Sequence, residues 1–501
     1  MSLRPTQNIG FLLREMAKAS PDTEAIVAKD LTLSRHKLWQ VVECYAHFMR
    51  ENGVASGDLV SIDTADAIVS IASVFALSLL GARYVPFSAE LVESDIPTVQ
   101  HFVRSVERSA LSKINNIVID HTWSPKFRNA SQDVFDFEGF AAPDEVVWIV
   151  PSSGTTGRPK YSPLSENLLF NRVIAIAQDY EAPNTRLTIL FGCMSRPYII
   201  RAVSALLAGH TIVDTQDIWF CAQARVNFIC ASPQQIRMWL AGNTVQPKIG
   251  VLQVSGAKIE PSEISTLLDS FERVEDVYGS NETIKAHISV FSRSNNGNEQ
   301  ETKANSSFVE VVNELNAPCE VGVKGILRIK TPWMVDRYLD DPKATAEHFK
   351  DGWFYPGDLA VWHSGRRLEI IGRESDVVNL GGQKIALPDV EKCLTGVAHA
   401  RTAACFTNPI EGHENQLAAC IEVSSWDELF ETVEAAWKAC VDMYGPTAAP
   451  SVILAVSALP LSQDGVVQRK QALQIFAKTL QMSNAEDLNR RLFIFRVNFD
   501  D

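Results

Sequence analysis

The chain has 501 residues, of which 46% are hydrophobic and 21% are charged, as in soluble globular proteins with more than one domain. Its formal net charge of -14 argues against a nucleic-acid or anionic-membrane binder, because such a field repels both partners. The nine cysteines form no C-x-x-C pair, which disfavours a disulfide framework or a zinc site. With no signal-peptide core and no uncharged apolar run near the ~20 residues of a membrane span, we expect a cytoplasmic protein.

Helical and strand patterns alternate through the first part of the chain. Apolar residues at helical spacing predict helices over 35–52, 67–80, 165–179 and 199–208. Short apolar runs bounded by turn residues predict strands at Leu59–Ile62, Tyr84–Pro86, Val146–Val150, Leu187–Phe191 and Thr211–Asp214. This alternation predicts an α/β domain with largely parallel sheets.

From about residue 306 the pattern changes to short strands separated by Gly and Asp turns. These predicted strands are 308–313, 325–331, 353–355, 359–363 and 368–371. Beyond Arg373–Asp376, helices (389–394, 426–443) and strands (401–407, 417–423) mix again. We therefore expect a large N-terminal domain, residues 1–373, of packed mixed α/β sheets plus a β subdomain. A small α+β C-terminal domain, residues 374–501, would follow a boundary near 373–376.

A loop rich in glycine and hydroxyl groups follows the predicted strand at Val146–Val150. Its sequence, residues 150–160, is VPSSGTTGRPK. Gly154 and Gly157 allow close approach of the backbone to a ligand, and Lys160 suits a pyrophosphate leaving group. Four hydroxyl groups can donate to phosphate oxygens: Ser152, Ser153, Thr155 and Thr156. The spacing is not that of a Walker A loop, and a solvated linker is the ordinary alternative.

This loop closely resembles the signature loop of the adenylate-forming superfamily of acyl-CoA synthetases, nonribosomal peptide synthetase adenylation domains and luciferases. Further segments resemble that family's motifs in the same order along the chain. They are 53–62, 81–86, 252–258 (LQVSGAK), 278–282 (YGSNE), 325–349, 352–358 (GWFYPGD), 371–376 and 379–385. The resemblance implies a small, mobile C-terminal domain that rotates about a hinge near 373–376, with Ser375 or Asp376 as the pivot.

The resemblance also implies roles for individual residues. Lys160, Glu282 and Arg373 would be catalytic, and Glu282 would hold Mg²⁺, for which a solvated loop carboxylate is the alternative. Asp358 would accept hydrogen bonds from both ribose hydroxyls; the alternative is a turn residue without such a role. Arg373 would contact the ribose or phosphate; the alternative is a surface salt bridge. The implied nucleotide-binding set is Ser152, Ser153, Gly154, Thr155, Thr156, Gly157, Lys160, Ser255, Gly256, Ala257, Tyr278, Gly279, Ser280, Asn281, Asp358 and Arg373. Tyr278 would stack on adenine unless it serves only apolar packing.

The implied chemistry uses ATP and Mg²⁺ and has two steps. A small acid attacks the α-phosphorus of ATP and expels pyrophosphate, and the thiol of CoA or a carrier protein then attacks the acyl-adenylate. Positioning and charge stabilisation would supply most of the catalysis.

The chain departs from the family pattern near its C-terminus. Residues 459–469 resemble the stretch that carries the family's catalytic lysine, and that position is Val466. Losing one such cationic donor costs about 10²–10³ in rate, unless Arg469 or Lys470 compensates. Asn281 stands where the family prefers Thr, which phosphate binding should tolerate. The tail ends in 491–496 (RLFIFR), an expected extra strand without an assigned role.

The substrate is less well defined by the sequence. Residues 194–198 (MSRPY) contain no acidic side chain, which disfavours an α-amino acid, and Arg196 is a candidate partner for a second anionic group. Four aromatic residues would line an aryl pocket or pack in the core: Phe191, Trp219, Phe220 and Trp239. Three functions stay open: an acid–thiol ligase, adenylation of an unusual acid such as nitrite with an amine acceptor, and a weakened adenylate-binding protein.

Overall fold

The computed structural model describes residues 7–86, 99–105, 109, 114–124, 137–140, 142–152, 160–294, 299–302, 308–364, 367–380, 383–410, 416–446, 449–461 and 467–482. The chain divides into two compact units. The first unit comprises Met1–Glu310 and Arg328–Pro356, and the second comprises Val311–Leu327 and Gly357–Asp501. This division does not coincide with the boundary expected near 373–376, so the hinge there stays a prediction.

A nine-stranded sheet forms one layer of the first unit, in the order β15-β14-β13-β12-β11-β9-β10-β1-β2. Its strands are β1 Glu24–Ala28, β2 Leu31–Ser34, β9 Arg186–Ile189, β10 Thr211–Asp214, β11 Phe228–Ala231, β12 Ile249–Ser255, β13 Phe271–Tyr278, β14 His287–Arg293 and β15 Glu299–Thr302. The strands from β13 to β1 pair in parallel, and antiparallel strands close both edges.

A second sheet of the first unit has six strands in the order β6-β5-β3-β4-β7-β8. They are β3 Leu59–Asp63, β4 Arg83–Pro86, β5 His101–Ser105, β6 Asn115–Ile119, β7 Val146–Ser152 and β8 Lys160–Ser165. All pairs are parallel except β7 with β8. The expected α/β architecture with largely parallel sheets is confirmed.

The helices of the first unit begin at residues suited to cap them. They are α1 Ile9–Ala19, α2 Arg35–Glu51, α3 Ala67–Leu80, α4 Glu166–Ala177, α5 Arg196–Leu207, α6 Ile218–Gln223, α7 Pro233–Leu240, α8 Pro261–Ser270 and α9 Pro342–His348. Side chains of Asp66, Ser165 and Ser195 cap α3, α4 and α5, and the predicted bounds of α3 are confirmed. The predicted helix 199–208 starts earlier, because Ser195 is the cap and Pro197 occupies the first turn.

Short strands between residues 309 and 373 confirm the predicted β region. They are β16 Val309–Val312, β17 Lys324–Ile329, β18 Phe349–Lys350, β19 Trp353–Phe354, β20 Asp358–His363 and β21 Arg367–Arg373. Within the first unit Ile329 pairs with Phe354, and within the second unit β20 and β21 form an antiparallel pair.

The rest of the second unit is the predicted small α+β fold. It contains β22 Val377–Leu380, β23 Gln383–Ala386, α10 Leu387–Thr395, β24 Ala400–Thr407, β25 Leu417–Val423, α11 Leu429–Tyr444, β26 Val452–Val456 and α12 Arg469–Met482. Side chains of β24–β26 pack on α10 and α11 from one face and on α12 from the other. The predicted strand at 491–496 lies outside the described residues. Within the described part of the chain, no helix has the length and apolarity that a membrane crossing requires.

Candidate nucleotide-binding site

Two antiparallel strands hold the ends of the glycine- and hydroxyl-rich loop. Ser152, the last residue of β7, lies opposite Lys160, the first residue of β8. The residues between them, 153–159, lie outside the described part of the chain, so the predicted roles of Ser153, Gly154, Thr155, Thr156 and Gly157 stay predictions. The structure therefore fixes where the loop begins and ends, and the position of its lysine.

Lys160 contacts a histidine and lies near a tyrosine of the first unit. Its Nζ lies 2.7 Å from Nε2 of His348, and Nδ1 of His348 lies 2.7 Å from the carbonyl oxygen of Tyr355. Because a carbonyl only accepts, Nδ1 carries the proton and Nε2 accepts from the lysine ammonium. The same Nζ lies 5.3 Å from the centroid of the Tyr338 ring. The lysine is thus held at a defined place beside Tyr338.

Glu282 lies on the other side of that tyrosine. The hydroxyl of Tyr338 donates to Oε1 of Glu282 at 2.8 Å, and the glutamate is only 5% exposed. A cation and a buried carboxylate are therefore joined through one aromatic side chain. We call Lys160, Tyr338, Glu282 and His348 the lysine–glutamate cluster.

The tight loop after β13 presents Glu282. A Cβ on Gly279 would lie 1.9 Å from the carbonyl oxygen of Ile284, so only glycine allows this close approach. The hydroxyl of Ser280 accepts from the Glu282 backbone N–H, and Nδ2 of Asn281 donates to the carbonyl of Pro151 at 2.6 Å. The amide that replaces the family's threonine thus ties this loop to the strand that leads into the glycine-rich loop.

A buried arginine supports the same loop. Nε, Nη1 and Nη2 of Arg172 donate to the backbone carbonyls of Trp333, Asn281 and Glu282, at 2.9, 3.0 and 2.7 Å. Burial lowers the pKa of Arg172 to about 9, which leaves the guanidinium charged at neutral pH. The only sign of this role in the sequence is a charged residue within the predicted helix 165–179.

The residues expected around adenine lie at the carboxyl ends of neighbouring parallel strands. Ser255 ends β12 and Tyr278 ends β13, and Ser255 is directly opposite Val277. Gly256 has a φ of 95°, a conformation that favours glycine, and Gly256 and Ala257 are exposed. Ligands of α/β sheets bind at this edge, so the position suits the predicted role.

In the second unit, Asp358 and Arg373 lie opposite each other on β20 and β21. Nε of Arg373 is 3.0 Å from Oδ1 of Asp358, and Asp358 is buried whereas Arg373 is exposed. The two residues predicted to contact ribose are therefore brought together.

Arg469 forms ion pairs with two carboxylates of the second unit. It binds Glu391 through Nε and Nη2, at 3.0 and 2.9 Å, and its Nη1 lies 2.8 Å from Asp376. These partners raise the pKa of Arg469 despite its burial. The expectation that Arg469 could replace the missing lysine is thereby disfavoured, while Val466 itself lies outside the described residues.

The four aromatic residues considered for an aryl pocket do not gather into one. Phe191 is buried in the main core, and Phe220 and Trp239 pack against a different cluster. Trp219 is 77% exposed, which contradicts core packing for this residue.

The sequence model of the AMP-binding enzyme family matches residues 13–339. The chain belongs to this family. The prediction of an adenylate-forming ligase is thereby confirmed at the level of the family.

The relatives of this AMP-binding enzyme include a gramicidin S synthase and a probable CoA ligase. Gramicidin S synthase 2 of Brevibacillus brevis is 23% identical over 93% of the chain, which spans only 11% of that protein. The probable CoA ligase CCL9 of Humulus lupulus is 22% identical, and the match covers 93% of this chain and 96% of the relative.

Solved structures confirm the adenylate-forming fold. The o-succinylbenzoate CoA synthetase MenE of Bacillus subtilis, in complex with AMP, matches with a TM-score of 0.77 at 17% identity, over 92% of this chain and 97% of that one. The amide bond synthetase McbA of Marinactinospora thermotolerans matches with a TM-score of 0.70 at 16% identity, over 93% and 100%. Another MenE structure holds ATP and a magnesium ion.

Proposed function

We propose that this AMP-binding enzyme activates a small carboxylic acid with ATP. An oxygen of the acid attacks the α-phosphorus, the new P–O bond forms, and the bond to the β-phosphate oxygen breaks, releasing pyrophosphate. A thiol sulfur, from CoA or a carrier protein, would then attack the acyl carbon and expel AMP. The similarity to a probable CoA ligase supports a thiol acceptor.

The lysine–glutamate cluster is the observation that carries this proposal. Lys160, at the end of the glycine-rich loop, supplies positive charge for the departing pyrophosphate. His348 and Tyr338 hold that ammonium beside Glu282 before any substrate arrives. Such preorganised charge lowers the reorganisation needed during the reaction.

The residues present fit a magnesium ion bound together with the nucleotide. Mg²⁺ typically takes one or two carboxylates plus substrate phosphates and water, and Glu282 is a buried carboxylate next to the loop lysine. Among the described residues no group of three or more His, Cys, Asp or Glu forms a metal cage. Bound there, Mg²⁺ would neutralise phosphate charge.

Further nucleotide contacts are proposed for each unit separately. Asp358 is buried and Nε of Arg373 lies 3.0 Å from its Oδ1; the remaining lone pairs of the carboxylate would accept from the ribose hydroxyls. Ser255, Gly256, Ala257 and Tyr278 would contact adenine, and Gly279, Ser280 and Asn281 would shape the loop beneath the phosphates.

The first experiment is acid-dependent release of pyrophosphate from ATP and Mg²⁺, across aryl, aliphatic, dicarboxylic and inorganic acids including nitrite. Release with a carboxylic acid, followed by AMP formation on adding CoA or a carrier protein, is expected. Release with nitrite alone would favour the unusual-acid alternative with an amine acceptor. Binding of ATP without release for any acid would contradict the proposal and favour a weakened adenylate-binding protein.

A Val466→Lys variant tests whether the first half-reaction is limited by the lost lysine. If so, pyrophosphate release should rise by about 10²–10³, the usual effect of one preorganised cationic donor. The matched control is Val467→Lys, one position along the chain, which should not raise the rate. An unchanged rate in Val466→Lys would show that this chain adenylates without a cation at that position.

A further inference from the structure

Residues 335–339 connect the two charged ends of the lysine–glutamate cluster. The backbone N–H of Val335 donates to the carbonyl oxygen of Glu282 at 2.9 Å, and the backbone N–H of Leu339 donates to the carbonyl oxygen of Tyr161 at 2.8 Å. Tyr161 belongs to β8, the strand that begins with the loop lysine. This short segment is therefore hydrogen-bonded both to the loop that presents the glutamate and to the strand that presents the lysine.

Tyr338 lies in this segment and is held in a defined position. Its backbone N–H donates to the hydroxyl oxygen of Thr345 at 3.0 Å, and that hydroxyl donates to the carbonyl oxygen of Asp341, the cap of α9, at 2.8 Å. Tyr338 is only 4% exposed, and its ring makes edge contacts with Phe349 and His348, at centroid distances of 5.3 and 6.0 Å. The phenol hydroxyl therefore points to one place.

Glu282 has a well-anchored backbone, whereas its carboxylate depends on a single contact. Its N–H donates to the Ser280 hydroxyl, and its carbonyl oxygen accepts from Arg172 and Val335. The carboxylate accepts from the Tyr338 hydroxyl through Oε1, at 2.8 Å. Among the residues that the structure describes, no donor contacts Oε2, and no lysine, arginine or histidine lies at ion-pair distance from this carboxylate.

A buried carboxylate in this state is suited to a cation. Removing its charge from water is costly unless hydrogen bonds or a counter-charge replace the solvent. One oxygen of Glu282 has its hydrogen bond, and the other keeps its lone pairs. A magnesium ion that arrives with the nucleotide would supply the counter-charge, because Mg²⁺ usually binds one or two carboxylates beside phosphates and waters.

We propose that Tyr338 is a positioning residue for this metal ligand: its hydroxyl engages Oε1 of Glu282 and so presents Oε2 to the magnesium ion that accompanies ATP. This inference rests on the proposed use of ATP and Mg²⁺ at the same site. Because the two oxygens of a carboxylate share one plane, anchoring one of them fixes the direction of the other. The ligand then need not be ordered when the metal–nucleotide complex binds, which raises the affinity for that complex.

The test measures the affinity of Tyr338→Phe for the magnesium complex of α,β-methylene-ATP, whose α–β linkage is not cleaved, by isothermal titration calorimetry. We expect Kd to rise about tenfold to hundredfold, the usual loss when the partner of a metal ligand is removed. Kd for AMP in EDTA should change by less than about threefold, since that ligand brings no metal to Glu282. In pyrophosphate release, KM for Mg²⁺ should rise while kcat recovers at high Mg²⁺.

Tyr180→Phe is the matched control for the loss of a buried hydroxyl. Tyr180 is 5% exposed, and its hydroxyl donates to the carbonyl oxygen of Arg201 at 3.3 Å. The Kd of this variant for the magnesium complex should match that of the wild type. Circular dichroism and the melting temperature of each variant would confirm folding before comparison.

A double-mutant cycle with Glu282→Gln shows whether the tyrosine acts through the glutamate. If it does, adding Tyr338→Phe to Glu282→Gln should change Kd for the magnesium complex by less than about threefold. A further loss of about tenfold in the double variant would show that Tyr338 acts elsewhere, and it would overturn the inference.

Two results with the single variant would also overturn the inference. One is an unchanged Kd for the magnesium complex in Tyr338→Phe, which would show that the hydroxyl does not position Glu282. The other is an equal loss of affinity for AMP in EDTA, which would show that the change disturbs the nucleotide site as a whole instead of the metal ligand.

These binding measurements separate the inference from the adenylation proposal, because they need neither an acid nor turnover. If no acid supports pyrophosphate release, adenylation fails, and the comparison of Tyr338→Phe with the wild type still tests the tyrosine. A wild type that binds α,β-methylene-ATP equally well with Mg²⁺ and in EDTA, yet releases pyrophosphate with an acid, would reject the inference and leave adenylation supported.

Discussion

Arg172 and Arg201 are buried on successive helices of the first unit, yet their surroundings differ. Arg172 is 1% exposed, and all three of its nitrogens donate to backbone carbonyls of segments distant in sequence. Arg201 is 9% exposed and keeps an Nε–H without a partner. A guanidinium whose donors are all used contributes more hydrogen bonds to the fold than one that keeps a buried donor unpaired. Hydrogen-bond completeness thus separates two residues that burial alone would group together.

The largest expected effect is on stability, in Arg172→Met. This change leaves the carbonyls of Trp333 and Asn281 without their charged donor and frees the loop that presents Glu282. We expect the free energy of unfolding of the first unit to fall by about 3–5 kcal/mol, measured by urea denaturation. The rate of pyrophosphate release should also fall, because the loop that presents Glu282 is no longer held.

Arg201→Met is the matched comparison for that measurement. Because Nε of Arg201 makes no hydrogen bond, the loss of stability should be well below that of Arg172→Met, about 2 kcal/mol or less. If the two variants lose equal stability, the number of hydrogen bonds that a buried arginine makes does not decide its contribution to the fold.

The next effect concerns the loop that Arg172 holds. In Gly279→Ala, the new Cβ would meet the Ile284 carbonyl oxygen at 1.9 Å, so the loop must open. We expect a drop of at least about tenfold in kcat/KM for ATP, since Asn281 and Glu282 would shift by a fraction of an ångström or more. Stability should fall by about 1–3 kcal/mol.

Gly192→Ala is the control for this loop, because a Cβ there meets nothing within 4 Å. Its activity and melting temperature should match the wild type. If Gly279→Ala keeps wild-type kcat/KM for ATP, the shape of the 279–284 loop does not govern nucleotide binding, and Arg172 supports only the fold.

Much of the fold could be predicted from the sequence, because it follows from local patterns. Helix α3 and strands β10 and β25 occur at the predicted bounds, since apolar periodicity and turn residues are local signals. Tyr278 and Glu282 were found through a contiguous motif. For Arg172 and Arg201 the sequence shows only a charged residue inside an apolar helix. Their hydrogen-bond partners could not be predicted, because most of them lie far along the chain. Glu282, for example, is 110 residues from Arg172.

The smallest expected effect concerns Lys160, a cation whose partner is itself a side chain. His348→Ala removes the acceptor that holds the ammonium beside Tyr338. The free energy needed to fix the lysine side chain would then reduce the affinity for ATP. We expect KM for ATP to rise about threefold to tenfold, with KM for the acid unchanged, in steady-state pyrophosphate release.

His348→Gln, whose side-chain oxygen can still accept from the ammonium, should recover part of the loss. Recovery would show that the imidazole acts through Lys160, because a purely packing role would not depend on an acceptor atom. If His348→Ala instead lowers stability and leaves KM for ATP unchanged, His348 resembles Arg172, a polar group that completes the fold. Lys160 would then be positioned by its substrate alone, and the lysine–glutamate cluster would not be preorganised.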